Sequence, residues 1–359
     1  MIIGKPSLDS KNFNTLVSCS RNIEEAIVPN FIEVIEPYAI EHISKIRSDS
    51  KLHEIKNCSI SSSDIKRICI PISVVSIQPC CLKKKKLKEI IVDPKSSPEK
   101  ENFDVVLFCL PGTKKVTIPD FIEVIAPRSF EECNQLQNVE ISHNSKLQSI
   151  EEYAFYESTI TSITIPPHLK KIGKCAFYYC GSLTQVNITP DSELRTIEEY
   201  SFSQTMINSF FIPKLVTKIC KNTFDNCVNL NRIEIPENSN LEVIESEAFC
   251  STLIEKIQLP QNSKKFDKKW NHFATELKKI SFSPNNKFFD IVEDKIVVTK
   301  SDPDQENFDT LVFYMGDDEI VKISDSIEVI GSGAFSNDQN LVEVVIPEKL
   351  RIIEEGAFL

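Results

Sequence analysis

The residues best able to do chemistry in this chain are its cysteines, and their spacing restricts what that chemistry can be. Cys133, Cys180 and Cys227 follow one another at intervals of 47 residues. Cys80 and Cys81 precede a basic run, Lys83 to Lys86. Neighbouring ammonium groups lower a thiol pKa, so a reactive thiolate is one reading of that pair and packing inside a repeat is the other. The chain has 12 Cys but only 5 His. His42, His53, His143, His168 and His272 form no H-E-x-x-H, and no paired C-x-x-C knuckles occur. There is no G-x-S-x-G elbow, no G-x-G-x-x-G and no G-x-x-x-x-G-K-[ST]. Carboxylate pairs recur as Glu151-Glu152, Glu198-Glu199 and Glu354-Glu355. Recurrence at one place in a repeat marks a solvated turn, not an acid/base pair. These residues predict a non-enzyme with no catalytic residues, no cofactor and no metal.

Composition agrees. Net charge is 41 − 52 = −11, against a nucleic-acid surface. Glycine is scarce, 8 of 359 residues or about 2%, where about 7% is usual. That disfavours Gly-rich phosphate loops and suggests corners built from Pro, Asn and Ser. No run of about 18 apolar residues is present, so no integral membrane segment is expected. The N-terminus, Met1-Ile2-Ile3-Gly4-Lys5-Pro6, has no signal-peptide pattern.

What positions the cysteines is an internal repeat. An apolar residue, two variable residues and a period-2 apolar pair recur as Leu136…Val139-Glu140-Ile141, Ile160…Ile163-Thr164-Ile165, Leu183…Val186-Asn187-Ile188 and Leu230…Ile233-Glu234-Ile235. Ile254…Ile257-Gln258-Leu259 and Leu341…Val344-Val345-Ile346 continue the series. A second apolar pair follows each, such as Leu147/Ile150 or Leu169/Ile172, and then a small residue with Phe. The landmarks are Phe130, Phe155, Phe177, Phe202, Phe224, Phe249, Phe335 and Phe358; the first six are spaced 25, 22, 25, 22 and 25 residues. Towards the N-terminus Ile40, Ile60 and Leu82 replace the Phe. A larger unit starting at Asn12-Phe13 recurs at Asn102-Phe103 and Asn307-Phe308, without gaps, through Ile35, Ile125 and Ile330. Polar stretches precede its later copies. In the third, Lys295 to Thr299 and Thr310 to Tyr314 read as hairpin strands joined by Ser301-Asp302-Pro303-Asp304.

The period-2 pair is a strand with one buried face, which a single coil of 22–25 residues cannot bury. Stacked coils can, so the reading is one solenoid over 1–359. Its parts are degenerate coils at 1–92, an irregular insert at 93–115, regular coils at 116–282, a hairpin-type insert at 283–318 and uncapped terminal coils at 319–359. Within such a stack, residues two coils apart are separated by about 10 Å, too far for a disulfide. Cys133, Cys180 and Cys227 then form a column of small buried residues, with Ser158 and Thr205 at the same place in the intervening coils.

The phrase Ile163-Thr164-Ile165-Pro166…Leu169…Ile172…Ala176-Phe177 resembles the BspA-like class of leucine-rich repeats. The resemblance is strongest over 116–282 and 320–359. It implies a right-handed leucine-rich-repeat superhelix, β-rich, with a parallel sheet on the concave face and short helical or irregular convex segments. It also implies surface or secreted proteins linked to adhesion and protein binding. An intracellular scaffold of the same fold is the alternative, and the compartment stays open.

Stacking would align the variable strand positions into a ladder facing away from the core. Its residues are Gln137, Asn138, Glu140, Thr164, Asn187, Phe211, Arg232, Glu234, Lys256, Gln258 and Lys278, with Ser281 and Lys279 at the end. A polar face of mixed charge favours a protein or glycan ligand. Phe211 is the aromatic on that face: a binding hot spot is one reading of it, and the ordinary scatter of exposed apolar residues is the other.

Overall fold

The chain forms a parallel β-solenoid in a computed structural model. The structure describes residues 113–358, apart from 303, 337 and 339. Earlier in the chain it describes residues 2–4, 15–18, 27–36, 39, 45–46, 51–52, 54–56, 67–70, 76–77, 89–92 and 105–106. Ile40, Ile60, Leu82, Cys80, Cys81, Lys83 to Lys86, His42 and His53 lie outside the described residues, as does most of the insert at 93–115.

Each coil contributes to two parallel sheets. The period-2 apolar pairs form the long strands. Lys115–Ile118, Asn138–Ile141, Ser162–Ile165 and Gln185–Ile188 make one sheet. Ser209–Phe211 pairs Arg232–Glu234, and Lys256–Leu259 pairs Lys279–Phe282. Alternation does what the pattern requires: Val139, Ile141, Ile163, Ile165, Ile257 and Leu259 are buried, while Glu140, Thr164 and Gln258 face out. The second apolar pair forms a further sheet of two-residue strands, Val124–Ile125, Ser149–Ile150, Lys171–Ile172 and Thr196–Ile197. The repeat pattern did not predict these as strands. Pro166, Pro213, Pro236 and Pro260 end the long strands, and the carbonyl of each closes a tight turn.

The landmark phenylalanines stack into one column. Centroids of Phe130, Phe155, Phe177, Phe202, Phe224 and Phe249 are 4.8, 5.1, 5.1, 6.0 and 5.7 Å apart, and their planes diverge by no more than 12°. Phe210 wedges edge-on between Phe202 and Phe224, 4.9 Å from each.

The turn carrying each Phe takes the irregular one of the two forms expected, helical or irregular, and corrects the expectation about corners. Among the described residues no helix occurs there. Instead the backbone enters the left-handed region twice per coil, two residues before and two after the Phe. The pairs are Arg128/Glu132, Tyr153/Glu157, Cys175/Tyr179, Tyr200/Gln204, Asn222/Asn226 and Glu247/Ser251. So the corners do use positive φ, in these six coils without glycine, while Gly333 and Gly356 hold the same place two residues before Phe335 and Phe358. Each such residue costs about 1–2 kcal/mol. Hydrogen bonds between coils offset the cost. The amides of Tyr153, Phe155 and Glu157 donate to the carbonyls of Lys174, Ala176 and Tyr178 at 3.0, 2.7 and 3.0 Å, and the pattern repeats along the stack. This third ladder binds alternate residues to the next coil, which excludes the i to i−4 bonding of a helix.

The next turn departs from the phrase. Lys269 and Phe273 are its left-handed pair, so Asn271 occupies the landmark place, 22 residues after Phe249. Trp270, in the small-residue position, supplies the volume: it is fully buried, edge-on to Phe249 and stacked on Phe266 at 4.6 Å. Beyond it, Phe289–Val292, Ile296–Thr299 and Thr310–Tyr314 run antiparallel in succession, one strand more than the predicted hairpin. Thr310–Tyr314 then joins the short-strand sheet through Thr310 and Val329. The first two copies of the larger unit pair in the same way, Thr15 with Val34 and Val105 with Val124, at the shared separation of 34 − 15 = 124 − 105 = 329 − 310 = 19.

Replacing Phe177 with Ala should cost about 3–5 kcal/mol by denaturant titration, because it opens the middle of the ring column. Glu157→Gly, at an exposed left-handed residue, should raise stability by about 0.5–1 kcal/mol, and Glu157→Val should lower it. Equal stability of both variants would show that the turn carries no backbone strain.

Candidate functional site

The long strands place the ladder residues on one face. Asn138 stands opposite Lys115 and Ser162, Glu140 opposite Thr117, and Thr164 opposite Asn187. Farther along, Phe211 faces Glu234, Arg232 faces Ser209, Lys256 faces Lys279 and Gln258 faces Ser281. Gln137 and Lys278 are exposed one residue ahead of their strands. Phe211 and Ser281 are half-buried and the others are exposed.

Much of this face is engaged with itself. Lys115 pairs with Glu140 at 2.6 Å, and the Thr117 hydroxyl donates to the same carboxylate at 3.0 Å. The hydrogen bond from Lys115 and then that from Thr117 hold Glu140 below its ordinary pKa. Gln185 donates to Asn187 at 2.7 Å, Asn187 to Thr164 at 3.3 Å, and Arg232 pairs with Glu234 at 3.0 Å. Lys256, Lys278 and Lys279 make no ion pair among the described residues.

The recurrent carboxylates serve the stack. Lys171 lies between Glu151 and Glu198 at 3.1 and 3.5 Å, Lys174 meets Glu199 at 3.0 Å, and Lys268 meets Glu354 at 3.5 Å. His168 pairs with Glu193 at 3.1 Å, and His272 stacks on Phe273. Among the described residues no three His, Cys, Asp or Glu side chains gather as metal ligands. A polar cleft of about 670 Å³ beside the inserted hairpin is lined by Asp290, Ser301, Gln305, Asp309, Lys349 and Arg351. Two of its charged groups are committed: Arg351 pairs with Glu328 at 2.6 Å, and Asp309 accepts the Ser301 amide at 2.7 Å. Burial pushes the Asp309 pKa up, but hydrogen bonds led by the Ser301 hydroxyl outweigh it and hold the carboxyl low.

The cysteine column is built as its spacing requires. Cys133, Cys180 and Cys227 form no disulfide, and the last two are fully buried. Each buried thiol donates to the Phe carbonyl of the preceding coil, Cys180 to Phe155 at 2.9 Å and Cys227 to Phe202 at 3.1 Å. In the 22-residue coils Thr205 and Thr252 bond the carbonyl of their own coil's Phe, at 2.8 and 2.9 Å. Burial pushes the Cys180 and Cys227 thiols up to about 12.

One surface escaped the sequence reading. Tyr153, Tyr156, Tyr178, Tyr179 and Tyr200 form a continuous aromatic patch beside the Phe column, with neighbouring centroids 4.5 to 6.3 Å apart. Arg128 lies over the Tyr153 ring at 4.4 Å. Hydrogen bonding to Glu157 pushes Tyr156 up to about 12, and burial does the same for Tyr178. The signal was present as tyrosines one or two residues either side of successive landmarks.

A family model described as the BspA type leucine-rich repeat region matches residues 11–104, 102–227, 195–291 and 306–359, in six copies. The chain belongs to the BspA-type leucine-rich repeat family. No curated protein matches it. Among solved structures, this leucine-rich repeat chain is similar to the pneumococcal vaccine antigen PcpA, with 23% identity and a TM-score of 0.53 over 69% of this chain; it spans 59% of that chain's length. It is also similar to a leucine-rich cell surface protein of Faecalibacterium prausnitzii, with 17% identity, 92% and 89% of the two chains covered and a TM-score of 0.44. A leucine-rich repeat protein of Bacteroides ovatus matches at 17% identity and a TM-score of 0.47 over 95% and 85% of the chains. At these identities the likeness to PcpA shows the fold alone. No helix among the described residues is long and apolar enough to cross a membrane.

A maleimide at pH 8 should leave Cys180 and Cys227 unmodified in the native protein and label both after denaturation, as read by peptide mass mapping. Their raised native pKa also sets a pH dependence. The unfolded thiols ionise first, near about 8.5, so stability should fall from there towards the native value, by about 1.4 kcal/mol per pH unit and thiol. Cys180→Ser with Cys227→Ser should make that slope shallower, leaving the share of Cys175, Cys220 and Cys250, whose thiols burial also pushes up; an unchanged slope would assign it to other groups.

Proposed function

We propose that this leucine-rich repeat protein is a non-catalytic recognition protein of the surface or adhesion type, which binds a protein or glycan on the outward face of its long strands. The observation carrying this reading is the ladder itself: register-matched strands hold Phe211, Gln258 and exposed groups of both signs in fixed rows. A rigid array binds without the entropy cost of ordering loops, and a half-buried aromatic amid polar groups is the composition of interface centres. Family membership supports a binding role, and the likeness to a pneumococcal vaccine antigen favours the surface setting. The intracellular scaffold remains the second reading, because Cys180 and Cys227 use their thiols as buried donors rather than in disulfides.

Labelling intact cells with an impermeant reagent separates these settings: a labelled protein supports the surface reading, and protection until lysis overturns it. Phe211→Ala should leave the melting temperature within a few degrees while weakening binding to cells or captured partner about tenfold or more. Unchanged binding would remove the strand face from the interaction.

A further inference from the structure

We propose that the end of this face bearing Lys256, Lys278 and Lys279 is an anion site that takes a linear sulfated glycan. This deepens the recognition reading above and rests on it, naming the ligand chemistry of one part of the face.

Across most of the stack, a cation in one coil meets a carboxylate in another. Lys115 with Glu140, Lys174 with Glu199 and Lys218 with Glu245 are such pairs, at 2.6, 3.0 and 3.3 Å. Lys256 breaks the arrangement: its partner across the strands is Lys279, and Lys278 is next to it in the chain. Like charges directly opposite one another destabilise a sheet. None of the three lysines is ion-paired among the described residues. Folding alone supplies no reason for this row, least of all in a chain of net charge −11. The nearby carboxylates do not relieve it. Glu234 is held by Arg232 at 3.0 Å. Glu255 is next to Lys256 in the chain, yet its carboxylate makes no ion pair among the described residues.

A bound polyanion would relieve the repulsion. Adjacent strands lie about 4.8 Å apart, so the lysines form a short, straight cationic step that an extended anionic chain can follow. Gln258 and Ser281, paired across the same two strands, add neutral donors and acceptors suited to sugar hydroxyls. No exposed aromatic shares the row to anchor an acidic peptide or stack a nucleic-acid base. The acidic remainder of the molecule opposes a long duplex.

The test uses the full chain and a heparin-derived oligosaccharide, with binding measured by calorimetry at 50 and 300 mM NaCl. Wild type should bind, more weakly at the higher salt. Lys256→Thr with Lys279→Thr should weaken binding about tenfold, with a melting temperature equal to or above that of wild type because the opposed charges are gone. Lys256→Arg with Lys279→Arg should retain binding, which guards against a folding artefact. A wild type that does not bind at 50 mM, a Thr variant that binds like wild type, or equal binding of the desulfated oligosaccharide would each overturn the proposal. So would equal binding of an oligoglutamate peptide, which would put charge alone in place of the glycan. Phe211→Ala, scored on cells or captured partner, reads the broader recognition face independently. If that variant loses its partner while the oligosaccharide fails to bind, only the glycan assignment falls.

Discussion

Every coil is held to its neighbours by the spacing of backbone hydrogen bonds, about 4.8 Å from strand to strand. The chain meets that spacing three times per coil, in the long strands, the two-residue strands and the turn around the Phe. The side chains follow. Aromatic rings attached at the same place on successive coils sit 4.8 to 6.0 Å apart, so an offset parallel stack is the arrangement open to them. Lysines and glutamates in register become ion pairs between coils. The left-handed residues of the turn are tolerated because their amides enter the same ladder.

Some of this was legible in the residues. The long strands and the Phe column could be read because each depends on a residue type that the alternative conformations do not use, a period-2 apolar pair or a large ring. The cysteine column could be read because the distance limit on a disulfide excludes pairing two coils away. Other features left no residue signature. The two-residue strands are too short for periodicity to show. The left-handed positions are filled by Arg128, Glu157, Cys175, Gln204 and Ser251 alike, since bonding between coils selects the conformation there and the side chain points outward or into the column as its chemistry allows. The turn at Asn271 was hidden because its volume moved one residue back, to Trp270.

The ladder residues themselves were placed by the repeat frame, but their engagement with one another was not. Whether Glu140 or Asn187 is available depends on what stands one coil away, at Lys115 or Thr164, and that is a property of register. The tyrosine patch arose in the same way, from side chains 20 or more residues apart in sequence brought to ring contact.

The alternation of the capping groups has a consequence for how such a chain can lengthen. The 25-residue coils carry Cys and reach back to the previous carbonyl, while the 22-residue coils carry Thr or Ser. Thr205 and Cys227 together satisfy the Phe202 carbonyl across one coil boundary. Deleting a single coil would set two coils of the same kind against each other and break that alternation. Deleting or copying 25 + 22 = 47 residues would leave every boundary as it was. The packing module of these coils is therefore the coil pair.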